Sequence, residues 1–287
     1  MNAPHPTIAR KLLPKGACDC HAHVFGPYER FPLAPSRTYT PPETSVEAYL
    51  RLLDSLGLTR GVLVQPSAYG LDNSALVDAL KSAPDRLRGV AVANGDTSHE
   101  TLIKLRECGV RGLRFSRLLD ASGTPRYRNA VDVSEIKRLL PGMREAGLHA
   151  QLWLGLDELP DLAPLIRSAG IPFVIDHLAR CDPARGVENT SFALLCELIR
   201  EGHLWVKLTP YRSSLKYPNY EDMRIFHEHL MRVQPDHLLW GSDWPHVNMD
   251  QEKPDAAHLL HLLMQWTGDV AFIHKILVSN PGHLYGF

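Results

Sequence analysis

Two histidines two residues apart, in Asp19-Cys20-His21-Ala22-His23, are the first residues in the chain whose types and spacing suit chemistry. In an extended strand, alternation predicts Asp19, His21 and His23 on one face, with Cys18 and Cys20 on the other. Converging imidazoles can ligate a metal or donate to developing negative charge. Alone, the pair is equally a polar strand end. Two further apolar runs end in polar residues, Val174-Ile175-Asp176-His177 and Trp240-Gly241-Ser242-Asp243-Trp244-Pro245-His246. An aspartate closing an apolar run is costly unless paired, so Asp243 either caps a helix or takes part in chemistry. The coincidence of three such endings favours chemistry. Arg114, Arg180 and Arg212 also follow or close apolar runs, and guanidinium forks suit carboxylates. Salt bridges to loop acids are the plainer reading of any one of them. Tyr39, Ser67 and Gln65 are weaker candidates, each able simply to hydrogen-bond a loop. His227 and His229 repeat the spacing within a helical pattern, where residues two apart face away from each other. His258, His261, His274 and His283 read as helix-surface or core-edge residues.

The elements that must position these groups recur in a fixed order: apolar run, turn residues, helical pattern, glycine, apolar run. Helical patterns end at Gly57, Gly109, Gly147, Gly170 and Gly202, as left-handed caps require. The expected strands are 17–24, 61–67, 89–94, 110–116, 148–154, 172–179, 204–210 and 238–245. Eight strands alternating with helices imply parallel pairing and a single (β/α)₈ barrel. An open doubly wound sheet is disfavoured because no G-x-G-x-x-G follows any strand. The chain reads as an N-terminal extension over 1–16 and a barrel over 17–287, with no linker between. Two long connections, 25–44 and 117–129, leave the C-terminal ends of strands, where barrels build sites, and read as lids or clamps.

Composition narrows the function classes. The 287 residues are 44% hydrophobic and 22% charged, with a net charge of −1, enough apolar material for a large core. No dense Lys/Arg run offers a phosphate track, so nucleic acid is not an expected partner. No apolar run approaches the ~18 residues that cross a bilayer. Met1 to Gly16 has no apolar stretch of the secretory type. Five cysteines without a C-x-x-C pair exclude a disulfide framework and a zinc ribbon. A reduced, cytoplasmic protein, able to form a homo-oligomer, is expected.

At the residues that carry chemistry the chain resembles the amidohydrolase superfamily, in the branch of 2-pyrone-4,6-dicarboxylate lactonase and related sugar lactonases. The resemblance rests on Asp19 to Pro27, Arg37-Thr38-Tyr39-Thr40-Pro41, Arg111-Gly112-Leu113-Arg114-Phe115, Asp176-His177, Trp240 to His246, Asn280-Pro281 and Leu284-Tyr285-Gly286. It implies a (β/α)₈ hydrolase that opens a small carboxylated lactone. In that reading Asp243 activates water, while His21, His23 and His177 polarise the carbonyl or bind a metal. Arg114, Arg212, Tyr39 and Ser67, with Arg180 and His246, would surround the anionic substrate. Binuclear members use a bridging Lys or Glu on strand four, where this chain has Arg114. Strand five offers Gln151 and Trp153 rather than a histidine ligand. Both departures argue against two metals and leave no required cofactor, or one divalent ion such as zinc on His21, His23, His177 and Asp243. A metal-dependent decarboxylase of the same superfamily and a non-catalytic anion-binding barrel are the rival readings.

Overall fold

The structure, a computed structural model, describes residues 13–120, 122–249 and 252–287. Most of the expected N-terminal extension, residues 1–12, therefore lies outside the described residues. Eight strands run β1 Cys18–Ala22, β2 Arg60–Val64, β3 Leu87–Ala91, β4 Val110–Ser116, β5 His149–Trp153, β6 Phe173–Ile175, β7 Leu204–Lys207 and β8 Leu238–Leu239. They pair in sequence order and all in parallel. The segment after β8 closes the barrel onto β1: Cys20 N donates to Trp240 O at 2.8 Å, Asp243 N to His21 O at 2.7 Å and His23 N to Trp244 O at 2.8 Å. The expected (β/α)₈ barrel is the observed fold.

Helices α1 Val46–Leu56, α2 Ser74–Ser82, α3 His99–Glu107, α4 Ile136–Glu145, α5 Leu159–Ser168, α6 Thr190–Arg200, α7 Arg224–Val233 and α8 Ala256–Thr267 cover the strands. Ser45, Ser98, Asn189 and Asp255 cap α1, α3, α6 and α8 by accepting from backbone amides of the first turn. The five glycines expected to stop helices all lie just past helix ends with positive φ.

Strand alternation divides the buried side chains into two shells. Leu113, Ala150, Leu152, Phe173, Ile175 and Val206 point outward into the main core against the helices. Cys18, Cys20, Val62, Val64, Val90, Val174 and Leu239 fill the barrel interior with Trp205 and Tyr285. Tyr285 belongs to the C-terminal helix, and Arg111 Nε donates to its carbonyl at 3.0 Å.

Strands six and eight are shorter than expected. The chain over His177–Arg180 turns through four successive left-handed residues, φ 50 to 53°, and Asp243 and His246 have φ 58°. Side-chain residues in this region carry strain of about 1–3 kcal/mol each, and such outliers concentrate at functional sites. The apolar patterning reads straight through because these turns are as buried as a strand.

Candidate active site

Strand β1 does not present Asp19, His21 and His23 on one face. Its register with β2 slips between Asp19 and Ala22, so Cys18 and Cys20 face the barrel interior, His23 forms part of the cleft wall and His21 lies fully buried beneath Asp243. Asp19 is turned back to hold the segment after β8. Its carboxylate accepts from Ser242 N at 2.8 Å, Ser242 Oγ at 2.6 Å and His21 N at 3.1 Å. Burial pushes this carboxyl up to about 6, against those hydrogen bonds. Gly241 lets the two segments touch: a Cβ there would lie 2.5 Å from His21 Cβ and 2.9 Å from its backbone nitrogen. Asp19→Ala should leave the amides of Ser242 and His21 buried without an acceptor, a loss of about 1–3 kcal/mol for each. Urea titration should show the drop, with kcat falling alongside as the turn bearing Asp243 loosens. An unchanged midpoint would mean that Asp19 does not hold this turn.

Asp243 is fully buried at the centre of the cleft floor. Its two oxygens have different work. Oδ2 accepts from Tyr211 Oη at 2.6 Å and Arg212 Nε at 2.7 Å, with His177 Nε2 at 3.6 Å. Oδ1 faces His23 Nε2 at 3.4 Å and His21 Nε2 at 3.7 Å. Burial alone would raise this carboxyl, but the Arg212 guanidinium and the surrounding imidazoles outweigh it and hold it well below the ordinary range. His23 is oriented from behind, its Nδ1–H donating to Val64 O at 2.6 Å, which aims Nε2 at Asp243 Oδ1. His177 is pushed down to about 3 by burial, and His21 well below its usual value by burial and the charge of Lys207. The edge of Trp153 packs on His177 with ring centroids 4.6 Å apart.

Beneath this layer is a buried polar cluster that inspection of the sequence missed. Lys207 Nζ lies 2.8 Å from Gln151 Oε1, 3.3 Å from His21 Nδ1 and 3.3 Å from Asp176 Oδ1. Asp176 Oδ2 accepts from Gln151 Nε2 at 3.2 Å and from Arg114 Nε and Nη2 at 3.3 and 3.2 Å. The available signal was a lysine closing the apolar run of β7, as costly unpaired as an aspartate. Strand β5 does carry a histidine, His149, but at its first residue, low in the barrel, where its ring packs against Tyr285.

The cleft above spans about 560 Å³ including its solvent-filled mouth. Among its walls are His23, His177, Asp243, Arg114, Arg212, Tyr39, Ser67, Gln65, Tyr127 and Trp153. Gln65 spends its amide on Asp72 O at 2.6 Å, a loop contact. Tyr39 hydrogen-bonds Ser67, and burial pushes its phenol up. Arg180 lies in an adjoining depression with Arg126, which shares Tyr127, Trp153 and Arg212 with the main cleft. Its guanidinium stacks over Trp153 at 5.6 Å. His246 does not line the cleft; it is buried behind Tyr211, Nδ1 to Oη 3.3 Å. The two long loops meet over the mouth, Arg128 N donating to Thr38 Oγ1 at 3.1 Å and Ser36 Oγ to Asn129 Oδ1 at 2.8 Å.

Among the described residues two buried sets have donor atoms within 4.8 Å of one another, His21/His23/Asp243 and His21/Asp176/His177. The first fits one divalent ion if His21 also turns a lone pair toward Asp243. The second is crowded by the Lys207 ammonium, which stands 3.3 Å from both His21 Nδ1 and Asp176 Oδ1. A fixed cation there opposes a second one. Protein purified without added metal should therefore contain well under two equivalents of divalent ion per chain by elemental analysis. A stoichiometric pair would show that Lys207 yields its place.

The amidohydrolase family model matches residues 18–287. A 4-sulfomuconolactone hydrolase from Rhizobium radiobacter is 40% identical over 277 residues, 96% of this chain and 91% of that protein. A 2-pyrone-4,6-dicarboxylate hydrolase from Comamonas testosteroni is 35% identical over 294 residues, covering 98% and 93% of the two chains. Among solved structures, one from Acinetobacter baumannii with citric acid bound superposes with a TM-score of 0.80 at 28% identity, covering 95% of this chain and all of that one.

Proposed function

The chain belongs to the amidohydrolase family, and we propose that it is a hydrolase opening the ring of a small acidic lactone, such as 2-pyrone-4,6-dicarboxylate, with Asp243 as the group that activates water. The observation that carries this reading is the division of labour at Asp243. One oxygen is anchored by Tyr211 and Arg212, while the other faces His21 and His23 on the floor of the cleft. Such a carboxylate is ionised at every working pH. Anchored, it is a weak proton acceptor that orients a water and takes its proton as charge develops. Water attacks the ring carbonyl, the C–O ester bond breaks, and the products are a carboxylate, a hydroxyl and one proton released to solvent. His23 and His177 line the cleft where the oxyanion forms, with His21 buried beneath them beside Asp243. If a single divalent ion is held by His21, His23 and Asp243, it supplies Lewis-acid polarisation of the same carbonyl.

Arg114 and Arg212 hold the substrate's anionic substituent. Each spends one edge on a buried carboxylate, Asp176 or Asp243, and keeps further N–H donors for a ligand. Around Asp176 and Asp243 stand three cations, Arg114, Arg212 and Lys207, against two carboxylates, so the floor favours an anion. The anionic lactones named in the relatives from Rhizobium radiobacter and Comamonas testosteroni, and the citric acid in the solved structure, support an acidic substrate. Among the described residues no helix is long and apolar enough to cross a membrane. We place the enzyme in the cytoplasm, in keeping with five free cysteines, four of them buried.

The test is a panel of lactones with and without carboxylate or sulfonate groups, followed by proton release and by loss of the ring's absorbance. Stoichiometric acid release on anionic lactones is expected. Release of CO₂ instead would replace hydrolysis with decarboxylation, and no turnover of any member would leave a binding protein.

A further inference from the structure

Lys207 takes no part in the chemistry above, yet it is a fully buried cation at the barrel centre. An ammonium has three N–H donors and no acceptor. Within reach are Gln151 Oε1, His21 Nδ1 and Asp176 Oδ1. Angles separate these contacts. The approaches to Gln151 and His21 meet hydrogen-bond geometry, whereas Asp176 Oδ1 has no hydrogen-bond partner despite both His21 Nδ1 and Lys207 Nζ at 3.3 Å. His21 Nδ1 thus has two possible roles. It donates to Asp176, leaving Nε2 a lone pair, or it accepts from Lys207, placing the proton on Nε2. The approach of Lys207 meets hydrogen-bond geometry; that of Asp176 Oδ1, at the same 3.3 Å, is an ion-pair contact, and His21 Nε2 has no partner within hydrogen-bond distance.

We propose that Lys207 is a positioning residue that fixes His21 as the Nε2–H tautomer, so that His21 presents a hydrogen-bond donor, and not a lone pair, to the cleft floor beside Asp243. Resting on the lactonase reading, this makes His21 a donor directed at Asp243 Oδ1, 3.7 Å away, from beneath the cleft wall formed by His23, His177 and Asp243. The neighbouring His23 has its Nδ1–H fixed by Val64 O, with Nε2 3.4 Å from Asp243 Oδ1. The two imidazoles of the H-x-H pair are therefore not equivalent: His23 is pinned through Nδ1 as a donor, His21 through Nδ1 as an acceptor. The same tautomer denies a divalent ion its third nitrogen or oxygen ligand in the His21/His23/Asp243 set. Binding one would require His21 to abandon Lys207 and turn its Nδ1–H to Asp176 Oδ1, the buried oxygen now without a partner.

Histidine-selective ¹⁵N labelling of the metal-free enzyme tests this directly, with His21 assigned by its loss in His21→Gln. In the wild type, Nδ1 should resonate as an unprotonated nitrogen and Nε2 as a protonated one. Protonation at Nδ1 overturns the proposal, and needs no variant or substrate to observe. Lys207→Met removes the donor while keeping the bulk. The His21 proton should then move to Nδ1, and kcat on an acidic lactone should fall about 10–150-fold, the loss of one hydrogen bond to a charged group. KM should rise by less than kcat falls, because the floor loses one of its three cations while Arg114 and Arg212 keep their forks. A folded methionine variant with His21 still protonated at Nε2 would also overturn it. Should that variant not fold, the wild-type spectrum decides. Because the tautomer is read without substrate, an enzyme inactive on every lactone would sink the lactonase reading and leave this measurement standing.

Discussion

Asp243→Asn should give a folded protein with kcat lower by about 10²–10⁴-fold, the contribution of a positioned general base. The substitution is nearly isosteric, and the asparagine carbonyl can still accept from Tyr211 and Arg212 on the side now occupied by Oδ2. What it removes is the anionic Oδ1 facing His21 and His23. Its replacement is an NH₂ group, which cannot take a proton from water and stands beside His23 Nε2. Substrate affinity should move much less than turnover, because the arginine forks remain. A shift in KM would point to Arg212, whose guanidinium loses its charge partner and is freed to bind the substrate more tightly. Circular dichroism and thermal melting establish that the fold is retained, and initial rates on an acidic lactone give the loss. Near-normal turnover in the folded variant would reduce Asp243 to a structural residue anchoring Arg212.

The barrel was legible because its signals are periodic and repeated. Apolar runs alternate eight times with helical patterns, five of which end in a glycine, so an error in one element does not change the topology. Strand ends were less legible. The runs of β6 and β8 continue past their last ladder residues into turns that are equally buried, and left-handed backbone at His177–Arg180 and Asp243 leaves no mark in residues other than glycine. The slip in β1 was invisible for the same reason. Strict alternation grouped Asp19 with the two histidines, and only the slipped register turns it away toward Ser242. The charged residues divided by location. Those closing strand ends, Asp243, His177 and Arg114, stood out as exceptions to apolar patterning. Lys207 closes a strand too, but its partners Gln151, Asp176 and His21 come from three other strands, and no spacing along the chain announces such a cluster. His246, close in sequence to Asp243, is separated from the cleft by the ring of Tyr211. Proximity along the chain was a poor guide there.

Arg114→Met should lower kcat/KM on an acidic lactone by about 10–150-fold, the loss expected for a charge-assisted hydrogen bond of about 1.5–3 kcal/mol. Most of the change should fall on KM, since a substituent remote from the ring carbonyl is held as tightly before the reaction as during it. The structure adds a second consequence. Arg114 also places Nε and Nη2 on Asp176 Oδ2, so the variant strips one cation from a buried carboxylate. Lys207 and Gln151 remain beside it, and the charge of Lys207 keeps Asp176 ionised. The part of the loss that travels through Asp176 to His21 should therefore be small, below about tenfold, and should appear in kcat on any substrate. A neutral lactone of similar size separates the two, because it cannot use the fork and reports only the route through Asp176. The acidic lactone should lose about an order of magnitude more than the neutral one. Equal losses on both would mean that Arg114 serves Asp176 alone, and the anionic substituent would have to be assigned to Arg212 or to the depression lined by Arg126 and Arg180.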